Sequence, residues 1–349
     1  MSKKVSVFVG PGGVGKTTLA AASALLAAEE GKKVLVLTID PSKRLASTLG
    51  IEGKTDATKV PGFEGPGELW ASIVDHQKTF DEFVQKAANR SPGAEKILKN
   101  HLYRQLTTTL SGSQDFSALE KLYSSYLEGD YDLIVLDTPP AQHALSFLEA
   151  PAKIAALFNE GIARWFRDPK GEEAGFFQKI VGAGTRQVLK ILEGLTGSEF
   201  IRELADFFRS IEGWQDRLRE RTSAVHQLLV SDHTDFSLVT SFDRAKLLES
   251  EAFAREIRRG GYRLKTVLIN RAFPQWFDAQ ETGPSAGPYK DLYEGFQGFY
   301  QHREKTIQDF SLRLKGEVQV LQLPELTERV YDLEGLRKVA RILKKGGWS

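Results

Sequence analysis

The first apolar run of the chain, Val5 to Val9, is broken only by Ser6 and stops at Gly10. The next, Val34-Leu35-Val36-Leu37-Thr38-Ile39, is nearly continuous, as in a strand buried on both faces of a parallel sheet. Between them Leu19 to Glu30 reads as an Ala-rich helix, ended by Gly31. Strand-like runs return at Leu69–Val74, within Tyr131-Asp132-Leu133-Ile134-Val135-Leu136-Asp137, at Thr234–Ser241, Thr266–Ile269 and Val318–Leu323. Helical patterns follow most of them: through Ala46–Leu49, over Ala141–Pro151, from Arg244 to Arg259, from Leu292 to Leu314 and from Leu333 to Lys345. Strands alternating with helices predict an α/β fold with a doubly wound, mainly parallel sheet.

Two stretches depart from that alternation. Residues 76–129 place Phe80, Phe83 and Val84, then Ile97 and Leu98, then Leu119, Leu122 and Tyr126 at helical spacing. Residues 152–229 do the same with Ile154, Leu157 and Phe158, Trp165 and Phe166, and later Leu204, Phe207 and Phe208. The expected organisation is a core of residues 1–75, 130–151 and 230–349, with an α-helical subdomain formed by the two insertions. Gly50–Gly67 and residues 274–288 read as loops from their Gly and Pro content. The chain shows no internal repeat.

The composition narrows the function. The 349 residues are 41% apolar and 10% aromatic, enough for a sizeable core. Basic and acidic residues number 47 and 46, so no global field favours nucleic acid or an anionic membrane, and no nucleic-acid partner is expected. There is no cysteine, which removes disulfides, thiolate metal sites and cysteine nucleophiles and fits a reducing, cytoplasmic setting. The apolar run after the N-terminus is too short for a signal peptide, and no stretch has the length of a membrane span.

The chemistry concentrates where the first strand meets the first helix. Gly10-Pro11-Gly12-Gly13-Val14-Gly15-Lys16-Thr17-Thr18 is a P-loop in the strand–loop–helix context that motif requires. Its glycines let main-chain N–H groups turn inward, and the helix N-terminus adds partial positive charge, so the loop forms a cradle for phosphates. Lys16 can place its charge on the β- and γ-phosphates, the Thr17 hydroxyl can ligate Mg²⁺, and Thr18 can reach the α-phosphate.

Three further strand ends carry candidate groups, as the carboxyl edge of an open α/β sheet does. Asp40, before Pro41, fits two roles: orienting or deprotonating the attacking water, or capping the following helix. Asp137, ending a hydrophobic strand, has the form of a Walker B carboxylate that holds Mg²⁺ directly or through water. Asn270-Arg271 ends another strand, where an amide can pair with an adenine edge by donating and accepting at once or can serve the turn. His143 lies in a segment suited to sensing the γ-phosphate, although a lone histidine also reads as structural.

With these positions in hand, the chain resembles the ArsA family of ATPases, which includes the arsenite-pump ATPase and the guided-entry ATPase that carries tail-anchored membrane proteins. The resemblance covers nearly the whole length. It rests on Gly10–Thr18, on Asp40-Pro41 as switch I, and on Asp137-Thr138-Pro139-Pro140-Ala141-Gln142-His143-Ala144-Leu145 as switch II. It also rests on Leu268-Ile269-Asn270-Arg271 and on Leu323-Pro324-Glu325-Leu326-Thr327, similar to the family's late adenine loop. The resemblance implies a nucleotide-gated dimer using ATP and Mg²⁺, with Lys16 on the phosphates, Thr17 and Asp137 at the metal, and Asp40 near the metal activating water. It implies adenine contacts from Asn270, Arg271, Pro324, Glu325 and Leu326.

Three departures stand beside it. The family's second P-loop position is a lysine that reaches the partner's phosphates, whereas Pro11 offers no charge. The lack of cysteine removes both metalloid-binding thiols and a CxxC zinc clasp, and there is one P-loop where the arsenite-pump subunit has two. Lys43 and Arg44, just beyond switch I, are candidates to supply the missing charge or are solvated helix residues.

The expected activity is therefore hydrolysis of ATP to ADP and phosphate, driving a conformational switch in a homodimer or a heterodimer with a paralogue. Two alternatives stay open. In one, the helical region shields a hydrophobic protein client; its groove reading is weakened by Met1 being the sole methionine. The other is a partitioning or positioning switch of the ParA/MinD type, against which stands the absence of a basic tail or terminal amphipathic anchor.

Overall fold

The computed structural model describes residues 3–39, 44–89, 92–100, 103–104, 113–139, 147–157, 214–274, 287, 289–314, 318–326 and 328–348. Asp40–Lys43, Pro140–Ser146 with His143, and Thr327 lie outside the described residues.

Among the described residues, eight strands form one sheet in the order β3-β4-β2-β5-β1-β6-β7-β8. They are β1 (Lys4–Val9), β2 (Lys33–Thr38), β3 (Thr58–Lys59), β4 (Glu68–Ile73), β5 (Leu133–Asp137), β6 (Thr234–Ser241), β7 (Leu264–Asn270) and β8 (Gln319–Gln322). Every pairing is parallel except β3 with β4. From β1 the chain runs to β2, β3 and β4 on one side, returns to place β5 between β2 and β1, and continues through β6, β7 and β8 on the other side, so the fold is the expected doubly wound α/β sheet. The antiparallel β3 is a departure: it falls in the stretch read as loop, and two residues are too few to show alternation.

The sheet is buried on both faces. Val34 and Val36 of β2 pack with α1 (Lys16–Glu29) and α10 (Leu333–Lys345), while Leu35 and Leu37, opposite by strand alternation, are buried as well. The α1 helix is buried nearly all round, which its alanines permit because they add little bulk between helix and strands. The α10 helix shows the opposite pattern, with Leu336, Val339, Ala340 and Leu343 inward and Arg337, Lys338 and Lys344 at the surface in ion pairs. Helix α8 (Arg244–Arg259) packs on β6 and β7 and also meets α9 (Lys290–Arg313). Among the described residues no helix is long and apolar enough to cross a membrane.

Contacts divide the chain into two compact units. The first comprises Met1–Ile73, Ser125–Leu145 and Leu229–Ser349 and contains the sheet. The second comprises Val74–Ser124 and Ser146–Leu228. Its described helices are α3 (His76–Ala87), α4 (Pro92–Leu98), α6 (Ala150–Leu157) and most of α5 (Ser113–Glu128) and α7 (Gln215–Val230); the short α2 (Arg44–Thr48) belongs to the first unit. Phe80, Phe83 and Phe116 form the centre of the second unit's core, in edge-on pairs with centroids 4.9 to 5.8 Å apart. Beside that core, the Glu120 carboxylate, almost fully buried, accepts 2.7 and 3.0 Å hydrogen bonds from Arg221 across α5 and α7. Burial pushes the Glu120 carboxyl above its ordinary range, and Arg221 pulls it back.

Candidate nucleotide-binding site

Parallel pairing aligns the carboxyl ends of β2, β5, β1, β6 and β7 along one edge. The loop between β1 and α1 lies in the middle of that edge, and its shape follows from its neighbours. A Cβ on Gly10 would run into the carbonyl of Val239 in β6. Gly15 has φ +90°, a left-handed conformation, and a Cβ there would collide with the Asn270 amide. Val14 anchors the loop in the core beneath.

Gly15 caps α1, which starts at Lys16, three residues before the apolar pattern begins. No side chain among the described residues caps that helix, an arrangement that suits an anion at its first-turn N–H groups. Lys16 arches back over the loop, donating to the Gly10 carbonyl at 3.4 Å, and its side chain is buried. Pro11 is buried, while Gly12 and Gly13 are exposed.

On one side of the loop stands Asp137, fully buried at the end of β5 and in register with Phe8 of β1 and Thr38 of β2. The Thr38 hydroxyl donates to Asp137 Oδ2 at 3.3 Å, and the Thr138 hydroxyl donates to the Phe8 carbonyl at 2.7 Å. These two threonines fix the carboxylate and the strand end against β1; in the sequence Thr38 is read only as part of a strand and Thr138 only as part of switch II, neither with a role of its own. A threonine ending a strand is common, and only the pairing of β2 with β5 shows what it touches.

On the other side stands Asn270, whose Nδ2 donates to the Val14 carbonyl at 2.8 Å. Arg271 follows with φ +56°, left-handed for a residue with a Cβ. Beyond it the backbone rejoins the end of β8: the Ala272 N–H donates to the Leu323 carbonyl at 2.8 Å and the Glu325 N–H to the Phe273 carbonyl at 2.7 Å. Asn270 and Arg271 are thereby brought beside Pro324, Glu325 and Leu326, about fifty residues along the chain. Lys16 and Asn270 both bond the loop, Thr17 and Thr18 lie in the first turn of α1 directly after it, and Asp137 stands at the adjoining strand end. Asp40 and Lys43 lie outside the described residues, and of Arg44 only its place at the start of α2 is described.

A P-loop at the centre of a parallel sheet, with a helix N-terminus behind it and a buried aspartate on the next strand, defines a nucleotide-binding α/β protein of the P-loop class. A model of the ArsA ATPase family, described as "Anion-transporting ATPase", matches residues 3–345. The chain belongs to that family: it binds ATP and is an ATP hydrolase. It is 23% identical to "ATPase get3" of Schizosaccharomyces pombe over 97% of this chain and 91% of that one. It is 26% identical to "ATPase ARSA2" of Chlamydomonas reinhardtii over 97% and 84% of the two chains. A Streptomyces coelicolor chain, "Uncharacterized protein SCO2128", is 36% identical over 85% of this chain and 70% of its own.

Proposed function

We propose that the chain is a Mg²⁺-dependent ATPase in which hydrolysis of ATP to ADP and phosphate drives a conformational switch in a cytoplasmic dimer. The observation that carries this reading is the loop closed by Lys16 on Gly10 and flanked by Asp137 and Asn270 on neighbouring strand ends. The Gly10–Thr18 amides and Lys16 hold the phosphates, and Asn270, Arg271 and Pro324–Leu326 take the adenine. Asp40 orients the attacking water, as its resemblance to switch I supports, and stands near the metal.

The donor set suits Mg²⁺. Thr17 offers a hydroxyl, and Asp137 a carboxylate already oriented by Thr38, both hard oxygen ligands. The ion would supply charge neutralisation at the phosphates; the chain's own part is to hold them in line and keep Lys16 against them.

The core of residues 1–75, 130–151 and 230–349 is the catalytic body in this reading, and the helical insertions 76–129 and 152–229 are the part that responds. The two compact units support that division. The family resemblance supports a second reading, in which the helical part carries a hydrophobic protein client. A nucleotide-dependent rise in binding of a hydrophobic dye by the second unit favours it.

Phosphate release from ATP, measured with Mg²⁺ and again with EDTA, tests the main proposal. Lys16→Ala should abolish turnover, and Asp137→Asn should slow it by about two orders of magnitude, ~2.7 kcal/mol of barrier. Full turnover in EDTA, or in Lys16→Ala, overturns it.

A further inference from the structure

Beside the proposed base site, a half-buried arginine sits in an aromatic setting. Phe242 follows Ser241, the last residue of β6, and Ser241 is in register with Asn270 of β7. Arg303 of α9 sits over the Phe242 ring, its central guanidinium carbon 2.9 Å from the ring centroid. Phe299 and Tyr300, one turn earlier on α9, stand 5.2 and 5.1 Å from the same carbon. Arg303 Nη1 donates to the Ala272 carbonyl at 3.0 Å, while Nε is buried without a hydrogen-bond partner. Burial pulls the guanidinium below its ordinary range, with Tyr300 and Glu325 acting the other way.

Surface packing alone is a weak reason to hold an arginine in such a place, because desolvating a cation costs energy that one carbonyl bond and an aromatic face must offset. What this one secures is the peptide two residues beyond Asn270. The Ala272 N–H is held by Leu323 and its carbonyl by Arg303, so the left-handed Arg271 lies between Asn270, bonded to Val14, and a peptide held on both sides of Ala272. The same short turn joins the P-loop, through Asn270 and Val14, to the end of β8.

We infer that Arg303 is a positioning residue for recognition of the nucleotide base: held over the Phe242 ring and bonded to Ala272, it fixes the turn that sets Asn270 and Arg271 beside Pro324–Leu326. The inference rests on the assignment of those residues to the base. Arginine suits the task better than lysine, since its planar fork stacks and donates at the same time.

Calorimetric titration of ATP and of GTP into the full chain tests it, with melting temperatures measured alongside. The unaltered protein should prefer ATP. Arg303→Met should cut the ATP-over-GTP affinity ratio about tenfold, mainly through weaker ATP binding, and Arg303→Lys, which keeps a donor without the planar stack, at least about threefold. Equal loss for both nucleotides, or a lower melting temperature with the ratio unchanged, overturns the inference and leaves Arg303 a packing residue. If Arg303→Met does not fold, the ratio in Arg303→Lys decides, and no change there overturns the inference. Asn270→Ala separates the two levels. A ratio that collapses in Asn270→Ala but holds in the Arg303 variants sinks the role of Arg303 alone, whereas a ratio untouched by Asn270→Ala sinks the base-site assignment beneath it.

Discussion

Gly15 and Asn270 are separated by most of the chain, yet neither can be altered without reference to the other. The left-handed φ of Gly15 turns the loop into α1, and the space a Cβ would fill is taken by the Asn270 amide. Gly15→Ala therefore meets two penalties, about 1–2 kcal/mol for the backbone conformation and a collision with a group that bonds the loop. ATP affinity is expected to fall at least tenfold, with a smaller loss of thermal stability, because the loop is at the rim of the fold. Removing the obstructing amide in Gly15→Ala/Asn270→Ala should restore none of the backbone share. Calorimetry on the single and double variants measures the split, and an affinity unchanged in Gly15→Ala would show that the loop tolerates a side chain there. The same residue scale shows why part of the site was hidden in the sequence. Gly10–Thr18 announces itself by spacing, since consecutive residues make the cradle. Thr38 with Asp137 and Arg303 with Phe242 are ordinary residues whose meaning is a contact across strands or across some sixty residues, and a contact of that kind leaves no local pattern.

Elements were legible in proportion to the punctuation at their ends. β6, α8 and α10 begin and end where the pattern predicts, the two helices having Asp243 and Asp332 as side-chain caps at one end and Gly260 and Gly346 at the other. α1 lacks such a start signal, because Lys16-Thr17-Thr18 is polar and its helical state is set by the loop before it. α3 carries a different device at its start. Asp75 caps it, accepting from the Lys78 N–H at 2.9 Å, and His76 then sits with its Nδ1 buried and without a hydrogen-bond partner. Burial lowers the His76 pKa below the ordinary 6.5, against upward pulls from the Gln114 backbone, Asp75 and Asp115. The unfolded chain thus binds a proton more readily than the folded one, so stability from this group is fully present above about pH 6.5 and is lost as pH falls through the lower folded value. Half-buried Asp81 and Asp115, whose carboxyls are raised by desolvation, titrate in the opposite sense. The informative quantity is therefore the difference between the unaltered protein and His76→Gln. In urea unfolding that difference should be flat above pH 7 and shift in favour of the variant as pH drops below 6.5. A difference independent of pH would mean His76 is solvated.

At the scale of the whole molecule, the family resemblance and the chemistry of this chain pull apart at one position. A dimer gated by ATP places negative phosphates near the boundary between two copies, and their charge must be offset by cations from one copy or the other. The resemblance assigns that task to a lysine at the second P-loop position, but here the residue is Pro11, and it is buried. Lys43 and Arg44 follow switch I on the same chain and are the nearest cations in sequence able to take over. If they do, the dimer survives the loss of the loop lysine and hydrolysis depends on one of them. Light scattering with ATP and Mg²⁺, with Asp40→Asn used to hold the bound state, is expected to report a dimer that reverts to monomer when nucleotide is removed. Arg44→Ala or Lys43→Ala should then lower turnover at least about tenfold, ~1.4 kcal/mol of barrier, while leaving ATP binding largely intact. Turnover within about twofold in both variants would remove the substitution by charge. A monomer under every condition would mean that Pro11 marks a chain that hydrolyses ATP without a partner, and the site would then have to neutralise the phosphates with Lys16, the loop amides and the metal ion alone.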